Sequence, residues 1–107
     1  MKGTHIGEYE EIVLLLVGIL GEEAYGLLLM DKFILQTNRS TTIGAIHAAL
    51  SRLEVKGFLR SALGGATKER GGRRKRIFSL TATGVNALES SRDIRVNLWE
   101  QFSLRSI

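Results

Sequence analysis

The chain has 107 residues, 44% hydrophobic and 24% charged, which suits one globular domain with a modest core and leaves little room for a second. It contains no cysteine, so disulfides and thiolate metal sites are excluded. The net charge of +4 is a weak pointer to a polyanionic partner, but its clustering is a stronger one. Between Lys68 and Thr81, the six cations Lys68, Arg70, Arg73, Arg74, Lys75 and Arg76 oppose Glu69 alone, a local balance of +5 that leaves the rest of the chain close to neutral.

Taken in chain order, residues 8–20 lack proline and are apolar on nearly every face, which predicts a central buried helix. Its run Ile12–Leu20 is too short to span a bilayer. The flanking Glu10, Glu11, Glu22 and Glu23 do not suit a signal peptide, so the default location is cytoplasmic. Gly21 suits a helix C-cap, and a second helix is expected from about Glu23 to Gln36, with Tyr25, Leu28, Leu29, Lys32 and Phe33 at helical spacing. The polar connector "TNRSTT" ends in Thr42, a good N-cap for a third helix, Ile43 to Lys56, which Gly57 closes. Ile46, Leu50 and Leu53 recur there at i, i+4 and i+7 and define its buried stripe.

From Phe58 the period changes. "FLRSAL" and "RIFSL" read as short strands joined by the glycine-rich, basic "GGATKERGGRRK", a hairpin with a long loop. Thr81 then caps a last helix, roughly Ala82 to Ser103. The fold class is therefore α+β, mostly α: a winged helix-turn-helix of three helices and a two-stranded β-hairpin wing over residues 1–81, with a C-terminal dimerisation helix over residues 82–107. In that arrangement the third helix enters the major groove of DNA and the wing flanks it.

With Ile46, Leu50 and Leu53 facing inward, Gly44, His47, Ala48 and Ser51 face outward. Such small side chains let a backbone approach a groove wall, although they equally allow close packing on another helix. Thr42, beside free backbone N–H groups, is placed for a phosphate oxygen. In the wing, Lys68, Arg70, Arg73, Arg74 and Lys75 supply phosphate contacts, and Gly71 and Gly72 let the loop come close. "RGGRRKR" also fits a nuclear localisation signal or an RGG element, but it runs directly into "IFSLT", which favours a folded wing. Leu98, Trp99 and Phe102 form an apolar cluster too large to leave exposed on a monomer, and the sequence reading assigns it to a dimer core.

The segments "EAYG" (Glu23–Gly26), "GAIHAALSRLEVKGFL" (Gly44–Leu59) and "ERGGRRKRIFSLTATG" (Glu69–Gly84), together with Leu98 and Trp99, resemble the PadR family of transcriptional regulators over nearly the full length. The patterns "RLExxG" and "GGRRKxxxxLTxxG" carry the likeness jointly. The resemblance implies a winged-helix DNA-binding domain, homodimerisation through the last helix, and repression at a palindromic operator. In some members a small hydrophobic or aromatic effector relieves repression, stacking near the position of Trp99. His47 stands where the family usually has tyrosine, and by resemblance it touches DNA; it would make binding pH-dependent only if it titrates there. The chain resembles the compact branch of the family.

Catalysis is not expected. His5 and His47 lie near no carboxylate at metal-ligand spacing, and the glycine stretch lacks the Gly-Lys-Ser/Thr ending of a phosphate-cradling loop. Neither cofactor nor metal is implied. The competing reading is a non-catalytic winged helix that turns the same basic wing toward RNA or an acidic protein face.

Overall fold

The computed structural model describes residues 5–66 and 74–105. Three helices come first: α1 (Glu8–Leu20), α2 (Gly26–Thr37) and α3 (Ile43–Val55). An antiparallel hairpin of β1 (Leu59–Ala66) and β2 (Arg74–Leu80) follows, and α4 (Ala82–Arg105) ends the chain. Val13, Leu14 and Val17 of α1, Leu29 and Phe33 of α2, Ile46, Leu50 and Leu53 of α3, and Phe58, Leu59 and Phe78 around the hairpin form one continuous core.

α1 matches its expected span, with Glu8, Glu10 and Glu11 at its positive end and Gly21 closing it at φ 59°. It is not buried all round, however. Leu15 is 46% exposed and Ile19 74% exposed, although α2, α3, β2 and α4 all pack on α1.

The second helix begins later than the sequence reading has it. Gly21–Glu23 form a single 3-10 turn and Tyr25 is extended, at φ −119° and ψ 161°. The cause lies across the fold: the Ala24 carbonyl accepts a hydrogen bond from the Phe78 amide at 2.9 Å, so this stretch pairs with the edge of β2 and is not available to a helix. Asn38, in the left-handed region at φ 55°, ends α2.

α3 starts as expected: the Thr42 side chain accepts from the Ala45 amide at 3.0 Å. Ile46, Ala49, Leu50 and Leu53 are buried. The helix is also strapped to α1 by charge. Arg52 Nε donates to Glu10 at 2.8 Å, and Lys56 Nζ donates to the other carboxylate oxygen at 3.2 Å. Burial pushes the Glu10 carboxyl up, yet the hydrogen bonds and charges of Arg52 and Lys56 together outweigh it and hold the group below the usual carboxylate range.

The strands are longer than their apolar cores. Pairing runs Leu59↔Leu80, Ser61↔Phe78 and Leu63↔Arg76, then shifts register before Ala66↔Arg74. Gly64–Ala66 and Arg74–Lys75, expected in the loop, belong to the ladder. Backbone pairing continues outward past the last buried side chain because each strand satisfies the other's amides and carbonyls, whatever the side chains.

Thr81 joins hairpin to α4 in two directions. Its hydroxyl donates to the Gly57 carbonyl at 2.6 Å and accepts from the Gly84 amide at 3.0 Å. Gly84 has to be glycine, since a Cβ there would lie 2.2 Å from the Phe58 carbonyl oxygen. Beyond it Ala87 and Leu88 still pack half-buried against the core, and the rest of this helix, about 36 Å long, runs outward from it.

Candidate nucleic-acid interface

The core fixes α3 by its inner stripe and so fixes what its outer face presents. Thr42, Gly44, His47, Ala48 and Ser51 are all exposed, as the periodicity predicts. From Asn38 to Leu53 the chain carries no acidic residue. In the helix's second half, Arg52 and Lys56 are paired with Glu10 of α1.

The His47 ring is not free on that surface. It lies against the first turn of α2, where a Cβ on Gly26 would come within 2.6 Å of its Cε1 and 2.9 Å of its Nε2. Glycine at position 26 therefore makes the room the imidazole occupies. One residue earlier, the Tyr25 ring carries the Lys75 ammonium, with Nζ 4.1 Å from the ring centroid. The recognition-type helix and the basic strand thus rest on adjacent residues. The sequence reading placed Tyr25 on a helix face and gave Gly26 no role. The non-helical backbone at 24–25, with Ala24 held to β2 and Tyr25 extended, is what turns the pair toward both elements.

Arg74, Lys75 and Arg76 are exposed on β2. Arg74 Nε donates to the Gly64 carbonyl across the hairpin at 2.9 Å. Arg76 donates to the Ser61 hydroxyl at 3.1 Å, and Ser61 donates onward to the Glu54 carboxylate at the end of α3. These bonds stiffen the base of the wing and tie it to α3. Lys68, Arg70, Gly71, Gly72 and Arg73 lie outside the described residues.

A further cation sits in the α2–α3 connector. Arg39 pairs with Glu8 at 3.1 Å and lies 5.6 Å over the Phe33 ring, while the Tyr9 and Thr41 hydroxyls share a 2.6 Å hydrogen bond. This cluster holds the start of α3 to α1. The sequence reading passed over Arg39 because an isolated arginine in a polar connector carries no periodic signal.

On α4, Leu98, Trp99 and Phe102 are 58%, 65% and 61% exposed, and Trp99 meets Phe102 edge to face at 5.7 Å. Arg95, one turn before Trp99, donates to Glu11 of α1 and to Ser91. Among the described residues no three His, Asp or Glu side chains converge as a metal site. No described helix is long and apolar enough to cross a membrane.

No protein-family model matches the sequence, and no curated protein does. Solved structures do match. A transcriptional regulator from Streptococcus superposes with a TM-score of 0.74 at 20% identity, over 92% of this chain and 92% of that one. A PadR-like transcription factor from Bacteroides fragilis gives 0.72 at 20% identity, over 89% and 86%. A PadR-like regulator from Bacillus cereus gives 0.72 at 20% identity, over 89% and 87%. Four helices and a two-stranded hairpin in this order and arrangement are the winged-helix fold of the PadR-like regulators.

Proposed function

We propose that the protein is a PadR-type, non-catalytic regulator of transcription that binds a palindromic operator as a homodimer and represses the genes beside it. The observation that carries this reading is the common surface of α3 and β2. The exposed face around His47 adjoins the cations of the hairpin, and His47 and Lys75 stand on neighbouring residues. In this reading α3 enters the major groove, where His47 and Ser51 choose the sequence and Thr42 takes a phosphate. Arg74, Lys75 and the preceding cations Lys68, Arg70 and Arg73 grip backbone phosphates or an adjacent minor groove. Leu98, Trp99 and Phe102 meet their copies in the dimer, where a flat aromatic effector would stack. The PadR-like description of the structural neighbours supports the assignment.

The test is binding to the duplex upstream of the protein's own gene, with random-sequence DNA as competitor and salt varied. Specific binding that survives excess competitor is expected, with Arg73→Ala and Arg74→Ala reducing the salt slope by about one unit per lost phosphate contact. Loss of all preference in competitor, or equal affinity for RNA, would replace this reading with that of a general polyanion binder. An unchanged slope would remove the wing from the interface.

A further inference from the structure

Resting on the DNA-binding reading, we propose that Tyr25 and Gly26 are positioning residues: a shared seat that pre-sets Lys75 of the wing and His47 of α3 against the DNA before it arrives. Three contacts converge on three consecutive residues. The Ala24 carbonyl takes the Phe78 amide, the Tyr25 ring carries the Lys75 ammonium, and Gly26 leaves the space filled by the His47 imidazole. Residues 24–26 thus touch both the strand and the helix through which DNA would be gripped.

The physical advantage is preorganisation. A free lysine side chain has large rotamer entropy, which is lost when its ammonium settles on a phosphate. An ammonium held on one aromatic face keeps its other donors open to solvent, and Lys75 is exposed. It therefore meets a phosphate oxygen with part of that entropy already gone. The same holds for the imidazole, which Gly26 admits to a fixed place against α2. This separates two quantities that are usually mixed. The number of phosphates neutralised sets the salt slope, whereas preorganisation changes affinity at constant slope.

The experiment is fluorescence anisotropy of the full chain with a mixed-sequence duplex across a salt series. Lys75→Ala reduces the slope by about one unit. Tyr25→Leu leaves the slope as in the wild type and weakens binding by about two- to fivefold, the value of an exposed cation–π contact. Tyr25→Phe, which keeps the ring, binds like the wild type. Gly26→Ala weakens binding at constant slope, and adding it to His47→Ala causes no further loss. Wild-type affinity in Tyr25→Leu, or a Tyr25→Phe as weak as Tyr25→Leu, overturns the inference. If those results come with the normal slope change in Lys75→Ala, the DNA-binding reading stands and the seat alone is lost. A wild type that fails to bind the duplex overturns both.

A measurement on the unmutated protein serves where Tyr25→Leu does not fold. The Lys75 ε-methylene protons should show an upfield ring-current shift that persists when duplex is added. Its absence in the free protein, or its disappearance on binding, refutes the seat.

Discussion

The two ends of this molecule are built on opposite terms. The head, α1 to α3 with the hairpin, buries large side chains completely: Phe33, Phe58, Leu14, Leu29, Ile46, Leu50 and Leu53 are all within 1% of full burial. The last helix buries Gly84 and leaves Ile94, Leu98, Trp99, Phe102 and Leu104 more than half exposed. On α1, Ile19 is exposed as well. The head closes a large core within one chain, although Ile19, Leu35 and Val55 stay exposed on its surface, whereas most of the apolar area of α4 lies on its outside. A conserved-volume loss in the head should thus act on folding, and the same loss in α4 on assembly.

Two aromatic truncations test that contrast most sharply. Phe33→Ala removes a fully buried ring that packs on Tyr9 at a centroid distance of 4.8 Å, and should cost about 3–5 kcal/mol in urea unfolding. A loss below about 1 kcal/mol would show that the head does not depend on its own core. Trp99→Ala should hardly alter the head's spectroscopic signature, but should weaken the proposed dimer by about thirtyfold or more, as expected of an aromatic anchor worth about 2 kcal/mol. Sedimentation at micromolar concentration would show the shift toward monomer. A wild type already monomeric there would break the comparison on the α4 side.

The electrostatic strap inside the head comes next. Glu10→Gln leaves Arg52 and Lys56 without their carboxylate and should cost about 1–2 kcal/mol, at the low end because Arg52 is 54% exposed. Glu10 is held below its ordinary pKa by these partners. Its contribution is therefore complete above the usual carboxylate range, and it fades as pH falls through that range toward the folded value. In the variant this acid limb of the stability profile should flatten. Identical limbs in the two proteins would mean that the strap contributes nothing.

What could be read from the sequence follows the same division. α1, α3 and their caps were legible because local signals agreed with the tertiary result: Thr42 caps α3, and Ile46, Leu50 and Leu53 face inward. The start of α2 was not legible, because the Ala24–Phe78 hydrogen bond joins residues far apart in the chain and overrides helical spacing at Tyr25. The exposure of Leu15 and Ile19 was hidden for a related reason. An apolar run shows that a surface wants covering, but not whether its own chain or another covers it. For the candidate interface, composition located the cations and periodicity located the face around His47. The seat at Tyr25–Gly26 required the third dimension, since Lys75 and His47 reach it from opposite sides in sequence.

The smallest expected effects compare the two threonine caps, one at each side of the division. Thr42 accepts a single hydrogen bond, from Ala45, at an exposed helix start. Thr81 accepts from Gly84 and also donates to the Gly57 carbonyl, so one hydroxyl fixes α4 to the end of α3's connection into the hairpin. Thr42→Ala should cost about 0.5–1 kcal/mol, in the lower part of the range for an N-cap. Thr81→Ala should cost roughly 1–2 kcal/mol, because the Gly57 carbonyl loses a partner along with the Gly84 amide. The readouts differ as well as the sizes. Removing the Thr42 hydroxyl also removes a candidate phosphate contact, so duplex binding should weaken beyond what stability explains. Removing the Thr81 hydroxyl loosens α4 against the head and should act chiefly on the proposed dimer. Equal costs for the two, with equal effects on binding and assembly, would show that head and last helix behave as one cooperative unit, contrary to the division their burial describes.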